Sequence, residues 1–296
     1  MQIVIAGASG FLGTQLSGEL VRLGHAVTAL VRRPTSAPGE STWDPYAGTY
    51  DRAVIEAADV VVNLAGAPTV GNPHSSRWAR ELRESRVTTT AVLARAVADA
   101  DATPAYLAGS AMAWYGDHGA EVVTEESDSR GDSLLTGVTR AWQAAADPAI
   151  EAGARVCVLR TALVMDRRSA PLKQLRTVFR LGLGARVGDG RQYMAMVSLR
   201  DWLGAVAHLA EHPDVSGPVN LCCPETPTNA EFTSALARAV HRPAIAFAPA
   251  PLLRVGAGPM APELLGSLNL RPLALEAAGY AFRDRDVTAV LAAGLA

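Results

Sequence analysis

Lysine is almost missing from this chain. Lys173 is the only one, so arginine carries nearly all the positive charge. Cysteine is scarce too. Cys157, Cys222 and Cys223 form an odd set with two adjacent members, which matches neither a disulfide framework nor a zinc-ligand spacing. A reducing, cytoplasmic setting without a metal is the expectation. Neither sign of charge dominates. The formal net charge is −2 over 296 residues, which leaves no electrostatic footprint for nucleic acid or an anionic membrane. No apolar run is long enough to span a bilayer, and no basic segment precedes the first apolar stretch, so neither a membrane span nor a signal peptide is expected. Internal repeats and flexible linkers are absent.

Hydrophobic residues make up 49% of the chain and charged residues 19%, a globular balance with room for one large domain or two smaller ones. The stretch that organises the rest is Gln2 to Gly13. Ile3 to Ala6 is wholly apolar and reads as a strand buried on both faces. Gly7, Gly10 and Gly13 follow at G-x-x-G-x-x-G spacing, and Phe11, Leu12, Leu16, Leu20 and Leu23 then mark a helical face. Strand, glycine turn and helix in this order form the context of a dinucleotide fingerprint. A turn without Cβ atoms lets backbone N–H groups approach a pyrophosphate, and the helix N-terminus adds a favourable dipole. The plain alternative is a glycine-rich turn of any α/β protein.

The second strand, Ala26 to Val31, runs into Arg32 and Arg33. In a dinucleotide fold an acid at this place binds a ribose 2′-hydroxyl, whereas a guanidinium pairs with a 2′-phosphate. Two arginines and no acid point to NADP(H); a solvated basic loop is the competing reading. Asp59 to Gly66 is another buried strand ending in small residues, Ala65 and Gly66 among them, against which a ribose can pack. Helix is expected over 77–100, strand over 105–109, helix over 134–151 and strand over 155–160. This β-α alternation implies a doubly wound, Rossmann-type parallel α/β sheet with a ligand crevice at the strands' C-terminal ends. The expected division is an NADP-binding domain over 1–168, to which some later segments return, and a smaller C-terminal substrate lobe over 169–296. Asn229 is a candidate helix cap within that lobe.

These motifs resemble the extended short-chain dehydrogenase/reductases, and more closely an atypical "epimerase family" subgroup that ends in a domain of unknown function. The segments that carry the resemblance are Asn63-Leu64-Ala65-Gly66, Arg77-Trp78, Ser85-Arg86-Val87, Arg130-Gly131-Asp132, Trp142, Gly188-Asp189-Gly190-Arg191-Gln192, Thr228 to Phe232 and Arg242-Pro243. Arg271-Pro272-Leu273 and Ala277 to Phe282 extend it to the end, with 242–296 as the family-specific region. By position, the resemblance implies that Gly7, Ser9, Gly10, Phe11 and Leu12 line the pyrophosphate. It puts Val31 and Arg32 at the adenosine end, and Leu64, Ala65 and Gly66 at the ribose region. Glu81 and Arg86, on the long helix, and Leu163 also approach the cofactor, and NADP(H) is that cofactor. Many relatives dimerise, so a homodimer is an expectation as well.

One part of the family pattern is missing. The usual chemistry uses a Tyr-x-x-x-Lys pair, in which the ammonium lowers the phenol's pKa for proton exchange. Position 169, four before Lys173, is serine, and the helix expected to carry the pair reads Leu134 to Trp142 with no phenol or ammonium. Of the usual constellation, Ser110 remains. Tyr115 is the candidate acid, with Arg86 as a possible replacement for the lysine; alternatively Tyr115 and Trp114 only wall the pocket. Asp117 and His118 could relay protons, although a loop histidine is more often solvated. His208 and His212 could share a helix face, and two histidines alone are a poor metal site. Arg191, Gln192 and Tyr193 either read a polar ligand or brace the lobe. Two functions follow. One is an NADP(H)-dependent oxidoreductase or epimerase acting on an unidentified small carbonyl, alcohol or sugar-nucleotide. The other is a non-catalytic NADP(H)-binding sensor or docking protein.

Overall fold

The computed structural model describes residues 1–296. Strand β1 (Gln2–Ala6) is followed by α1 (Phe11–Arg22), β2 (Ala26–Val31), β3 (Glu40–Thr42), α2 (Arg52–Glu56) and β4 (Val60–Asn63). The long α3 (Ser76–Ala98) leads to β5 (Ala105–Ala111), a 3-10 turn at Met112–Trp114, and β6 (Val122–Val123). Then come α4 (Leu134–Ala144), α5 (Asp147–Glu151), β7 (Val156–Thr161) and β8 (Leu163–Met165). The remaining elements are α6 (Ala170–Arg180), β9 (Ala185–Val187), β10 (Met196–Ser198), α7 (Leu199–Glu211), β11 (Gly217–Leu221) and α8 (Asn229–Ala239). The chain closes with β12 (Ala246–Ala248), α9 (Ala250–Ala257), α10 (Ala261–Leu265), β13 (Asn269–Leu270), α11 (Leu273–Ala277) and α12 (Val287–Leu295).

Seven strands form one parallel sheet in the order β11-β7-β5-β4-β1-β2-β3. The order reverses between β1 and β4, and that switch point opens the crevice at the strands' C-terminal ends. Both faces are covered, which is why β1 is apolar without alternation. Ile3 and Ile5 pack with Leu16 and Leu20 of α1 and with Trp202 and Val206 of α7. Val4 and Ala6 point the other way, into a core with Leu93 and Val97 of α3 and Ala149 of α5. A third core joins Leu172 and Phe179 of α6, Phe232 and Leu236 of α8, and Val290 and Leu291 of α12.

The second half of the chain is not confined to a separate lobe. Helix α7 packs on α1, and β11 is the edge strand beside β7. The short extended stretch around Val219 is therefore part of the main sheet. The helix expected over 134–151 is two helices. Pro148 enters the first turn of α5 and has no N–H to continue α4. Asn229 is not the cap of α8. Thr228 is, in a reciprocal capping box with Glu231, while Asn229 Oδ1 accepts a bond from Val187 N at 2.8 Å and so ties α8 to β9. Three two-stranded parallel pairs, β8–β10, β9–β12 and β6–β13, join segments outside the main sheet. Each strand in them is only two or three residues long, too short for a periodicity signal. No helix is long and apolar enough to cross a membrane.

Candidate functional site

The glycine turn is tight for reasons that each glycine carries. Gly7 has φ +81°, and a Cβ there would sit 2.6 Å from the carbonyl carbon of Leu64. A Cβ on Gly13 would fall on the carbonyl oxygen of Gly7 and within 2.8 Å of Ala8 Cα. Gly10 N donates to Gly7 O at 3.0 Å and closes the turn. Gly10 is also the N-cap of α1 and has no side chain to cap it, and no acid lies in the first turn. The first N–H groups of α1 therefore face the crevice without an intramolecular anion. Ser9 and Gly10 are exposed at this rim, and Phe11 and Leu12 are half-buried behind it.

At the end of β2, Val31 is half-buried and Arg32 is exposed, with no ion pair of its own. Arg33 differs. Its Nη1 donates to Glu40 Oε2 at 3.0 Å and to Ser36 Oγ at 2.7 Å. The bonds from Arg33 and from the Ser36 backbone hold the Glu40 carboxyl down at about 2. No acid adjoins Arg32 and Arg33 in the sequence; β3 brings one in, and it occupies Arg33 rather than Arg32.

Leu64, Ala65 and Gly66 leave β4 beside the turn. Leu64 N donates to Ala6 O at 2.9 Å, and Ala65 N donates to Asn63 Oδ1 at 3.0 Å. Arg86 reaches over from α3. Its Nη1 donates to the carbonyls of Ala67 and Leu82, its Nη2 donates to Thr69 Oγ1, and the guanidinium lies 5.1 Å from the Trp142 ring centroid. No carboxylate offsets its charge, and burial lowers its pKa to about 10. Glu81 is exposed on the same helix. Leu163 opens β8 and is half-buried.

Three polar residues form one row across the C-terminal ends of three strands. Ser110 of β5 is in register with Arg160 of β7, which is in register with Asn220 of β11. Ser110 is 4% exposed, and its Oγ is buried with no hydrogen-bond partner. Arg160 is 2% exposed. Its Nε donates to Gln143 Oε1 at 3.1 Å, and its Nη1 donates to Tyr115 Oη at 2.8 Å and to Glu125 O at 3.2 Å. The guanidinium stacks 3.6 Å from the Trp114 ring centroid.

Tyr115, the candidate acid, is enclosed by protein. It is 0% exposed, and its hydroxyl donates to Asn220 Oδ1 at 2.7 Å. Arg160, not Arg86, is the cation beside it. Burial outweighs that cation and pushes the phenol up to about 12, the opposite of an activated acid–base group. Sequence reasoning passed over Arg160. The available signal was an arginine closing the otherwise apolar strand Val156 to Leu159, a place where a charge needs a reason.

The remaining candidates scatter. His118 is buried, not solvated; its ring meets that of Tyr115 edge-on at 6.3 Å, and its Nε2 has no partner. Asp117 Oδ1 accepts from Gly119 N and Ser267 N and shapes that loop. Around the Gly188 turn, Gln192 Nε2 donates to Val187 O at 3.0 Å, and Tyr193 N donates to Ser267 Oγ at 3.0 Å. These bonds brace the lobe.

His208 and His212 do share a face of α7, with rings stacked at 3.6 Å. His208 Nε2 faces Ala278 O at 3.0 Å, which selects the neutral tautomer protonated on that nitrogen. No group of three or more His, Cys, Asp or Glu is arranged to hold a metal ion. Burial, with His212 adding to it, lowers the His208 pKa despite the Ala278 carbonyl. A group whose folded pKa is depressed stabilises the fold above its unfolded pKa, about 6.5 for histidine. That stability is lost as pH falls through the folded value. Urea midpoints are therefore expected to drop as pH falls below about 6.5, with a shallower drop in His208→Gln. An equal slope in both proteins would assign the acid sensitivity elsewhere.

Comparison with known proteins fits this geometry. The model of the NAD dependent epimerase/dehydratase family matches residues 3–222, and a domain of unknown function, DUF1731, matches residues 248–293. An epimerase family protein of Mycobacterium bovis is 39% identical over 286 residues, covering 96% of this chain and 94% of its own. The bovine epimerase family protein SDR39U1 is 32% identical, covering 98% of both chains. Among solved structures, human SDR39U1 isoform 2 with NADPH superposes with a TM-score of 0.86 at 29% identity, covering 98% of both chains. A nucleoside-diphosphate sugar epimerase from Corynebacterium glutamicum gives 0.81 at 32% identity, covering 99% of this chain and 58% of the other. The family match spans the sheet, the glycine turn and the Ser110 row together, and this chain belongs to the NAD dependent epimerase/dehydratase family.

Proposed function

We propose that this protein is an NADP(H)-dependent oxidoreductase of epimerase type that acts on a small carbonyl, alcohol or sugar-nucleotide. The observation that carries the reading is the Gly7–Gly13 cradle. Its backbone is too close for any Cβ at Gly7 or Gly13, and it presents an uncapped helix N-terminus, the environment a pyrophosphate needs. Ser9, Gly10, Phe11 and Leu12 would hold the pyrophosphate, and Leu64, Ala65 and Gly66 the adjacent ribose. Val31 and Arg32 would take the adenosine end, with Glu81, Arg86 and Leu163 around the rest. The solved relative with NADPH supports the phosphorylated cofactor, as does the unpaired guanidinium of Arg32.

When bound, the nicotinamide would supply hydride transfer. The chain's own contribution would be Ser110, whose buried Oγ has no protein partner and would hold a substrate oxygen. A non-catalytic NADP(H)-binding role is the second reading. It is favoured by α4, which carries neither phenol nor ammonium, and by the enclosed state of Tyr115.

The cofactor reading is tested by fluorescence titration with NADPH and NADH. The native protein is expected to prefer NADPH. Arg32→Ala should weaken NADPH roughly tenfold, the scale of one charge-assisted contact, and leave NADH unchanged. Equal affinity of the native protein for both would remove Arg32 from the site. Turnover on a carbonyl panel then separates the enzyme from the sensor.

A further inference from the structure

We infer that Arg168 is a second contact for the cofactor pyrophosphate, beside the first residue of α1; this rests on the dinucleotide reading above. Arg168 is distant in sequence from the glycine turn, yet its guanidinium lies 5.7 Å from the ring centroid of Phe11. That is within cation–π range, and Phe11 is the first residue of α1. The side chain is 52% exposed, so its polar edge is open to a ligand. Asp166 takes two of its donors, Nε to Oδ1 at 2.8 Å and Nη2 to Oδ2 at 3.0 Å. A guanidinium has five N–H donors; three remain free.

The turn that presents Arg168 is fixed. Ser169 Oγ donates to Asp166 O at 2.8 Å, Arg168 N donates to Asp166 Oδ1 at 2.8 Å, and Arg167 N donates to Gly294 O of α12 at 2.7 Å. An ordinary surface ion pair needs no braced turn and no ring beneath the cation. Here the carboxylate orients the guanidinium, and the ring beside it belongs to the first residue of a helix whose end has no anion of its own. An anion entering there meets N–H groups on one side and a held cation on the other.

The test is fluorescence titration with NADPH and NADH and competition by ADP-ribose, using the full-length native protein, Arg168→Met and Arg168→Lys. Methionine keeps an apolar stem over Phe11 and removes the charge. All three ligands are expected to bind roughly tenfold more weakly to Arg168→Met, with the NADPH-to-NADH preference unchanged. Affinity should also fall less steeply with salt than in the native protein, and Arg168→Lys should recover part of the loss. Unchanged affinity in Arg168→Met while the native protein binds overturns the inference alone. A loss confined to NADPH also overturns it, because the contact would then be with the 2′-phosphate. If the native protein binds none of the three ligands, the dinucleotide reading falls and takes this inference with it.

Discussion

Replacing Gly13 with alanine is expected to abolish measurable NADPH binding and to lower stability by about 3 kcal/mol, the upper range for overpacking a close contact. The added methyl would fall on the carbonyl oxygen of Gly7. That oxygen already accepts the Gly10 N–H that closes the turn. The obstacle is backbone, so no rotamer change relieves it; the turn or the helix has to move. Moving either one redirects the N–H groups that face the crevice. Gly18 is the control. It lies in the same helix, and a Cβ there meets nothing within 4 Å. Gly18→Ala should therefore add about 0.5–1 kcal/mol through helix propensity. Urea unfolding and NADPH titration of both variants check this. Native-like NADPH affinity in Gly13→Ala would sink the assignment of the cradle.

The sheet and the cradle were legible because their signals are local. An apolar run from Ile3 to Ala6 in β1, a glycine turn and an amphipathic α1 lie within the first twenty-two residues, and short-range sterics fix them. The exposure of Arg32 is local in the same way, since it follows β2 directly. The state of Arg33 is not, because its partner Glu40 arrives on the next strand, seven residues on. The burial of Tyr115 was not legible, for a related reason. Its neighbours Arg160 and Asn220 are 45 and 105 residues away. A loop position at a strand end suggests exposure, but the partners that bury it come from β7 and β11. Arg168 reaches Phe11 across more than half the chain, and nothing in the local pattern of either segment predicts the meeting.

Ser110→Ala and Tyr115→Phe are expected to shift stability in opposite directions. Ser110 Oγ is buried without a partner, so the native fold bears its desolvation with no bond in return. Removing it should leave stability unchanged or raise it by about 1 kcal/mol. Hydride transfer to a responsive carbonyl should fall roughly a hundredfold if that hydroxyl holds the reacting oxygen. Tyr115→Phe does the reverse. It strips Asn220 Oδ1 and one Arg160 N–H of a buried partner, which should cost about 1–3 kcal/mol, while NADPH affinity stays close to native. The phenol, held up at about 12, is not a proton donor of useful strength near neutrality. Urea unfolding of the two variants, with NADPH oxidation followed on the same preparations, separates the roles. Destabilisation of Ser110→Ala comparable to that of Tyr115→Phe would make the serine a structural residue. Loss of hydride transfer in Tyr115→Phe at native stability would return the phenol to the reaction. The predicted combination, a serine costly to the fold and needed for turnover beside a tyrosine needed only for the fold, would mean that this crevice keeps one catalytic hydroxyl and has turned its remaining phenol into scaffold.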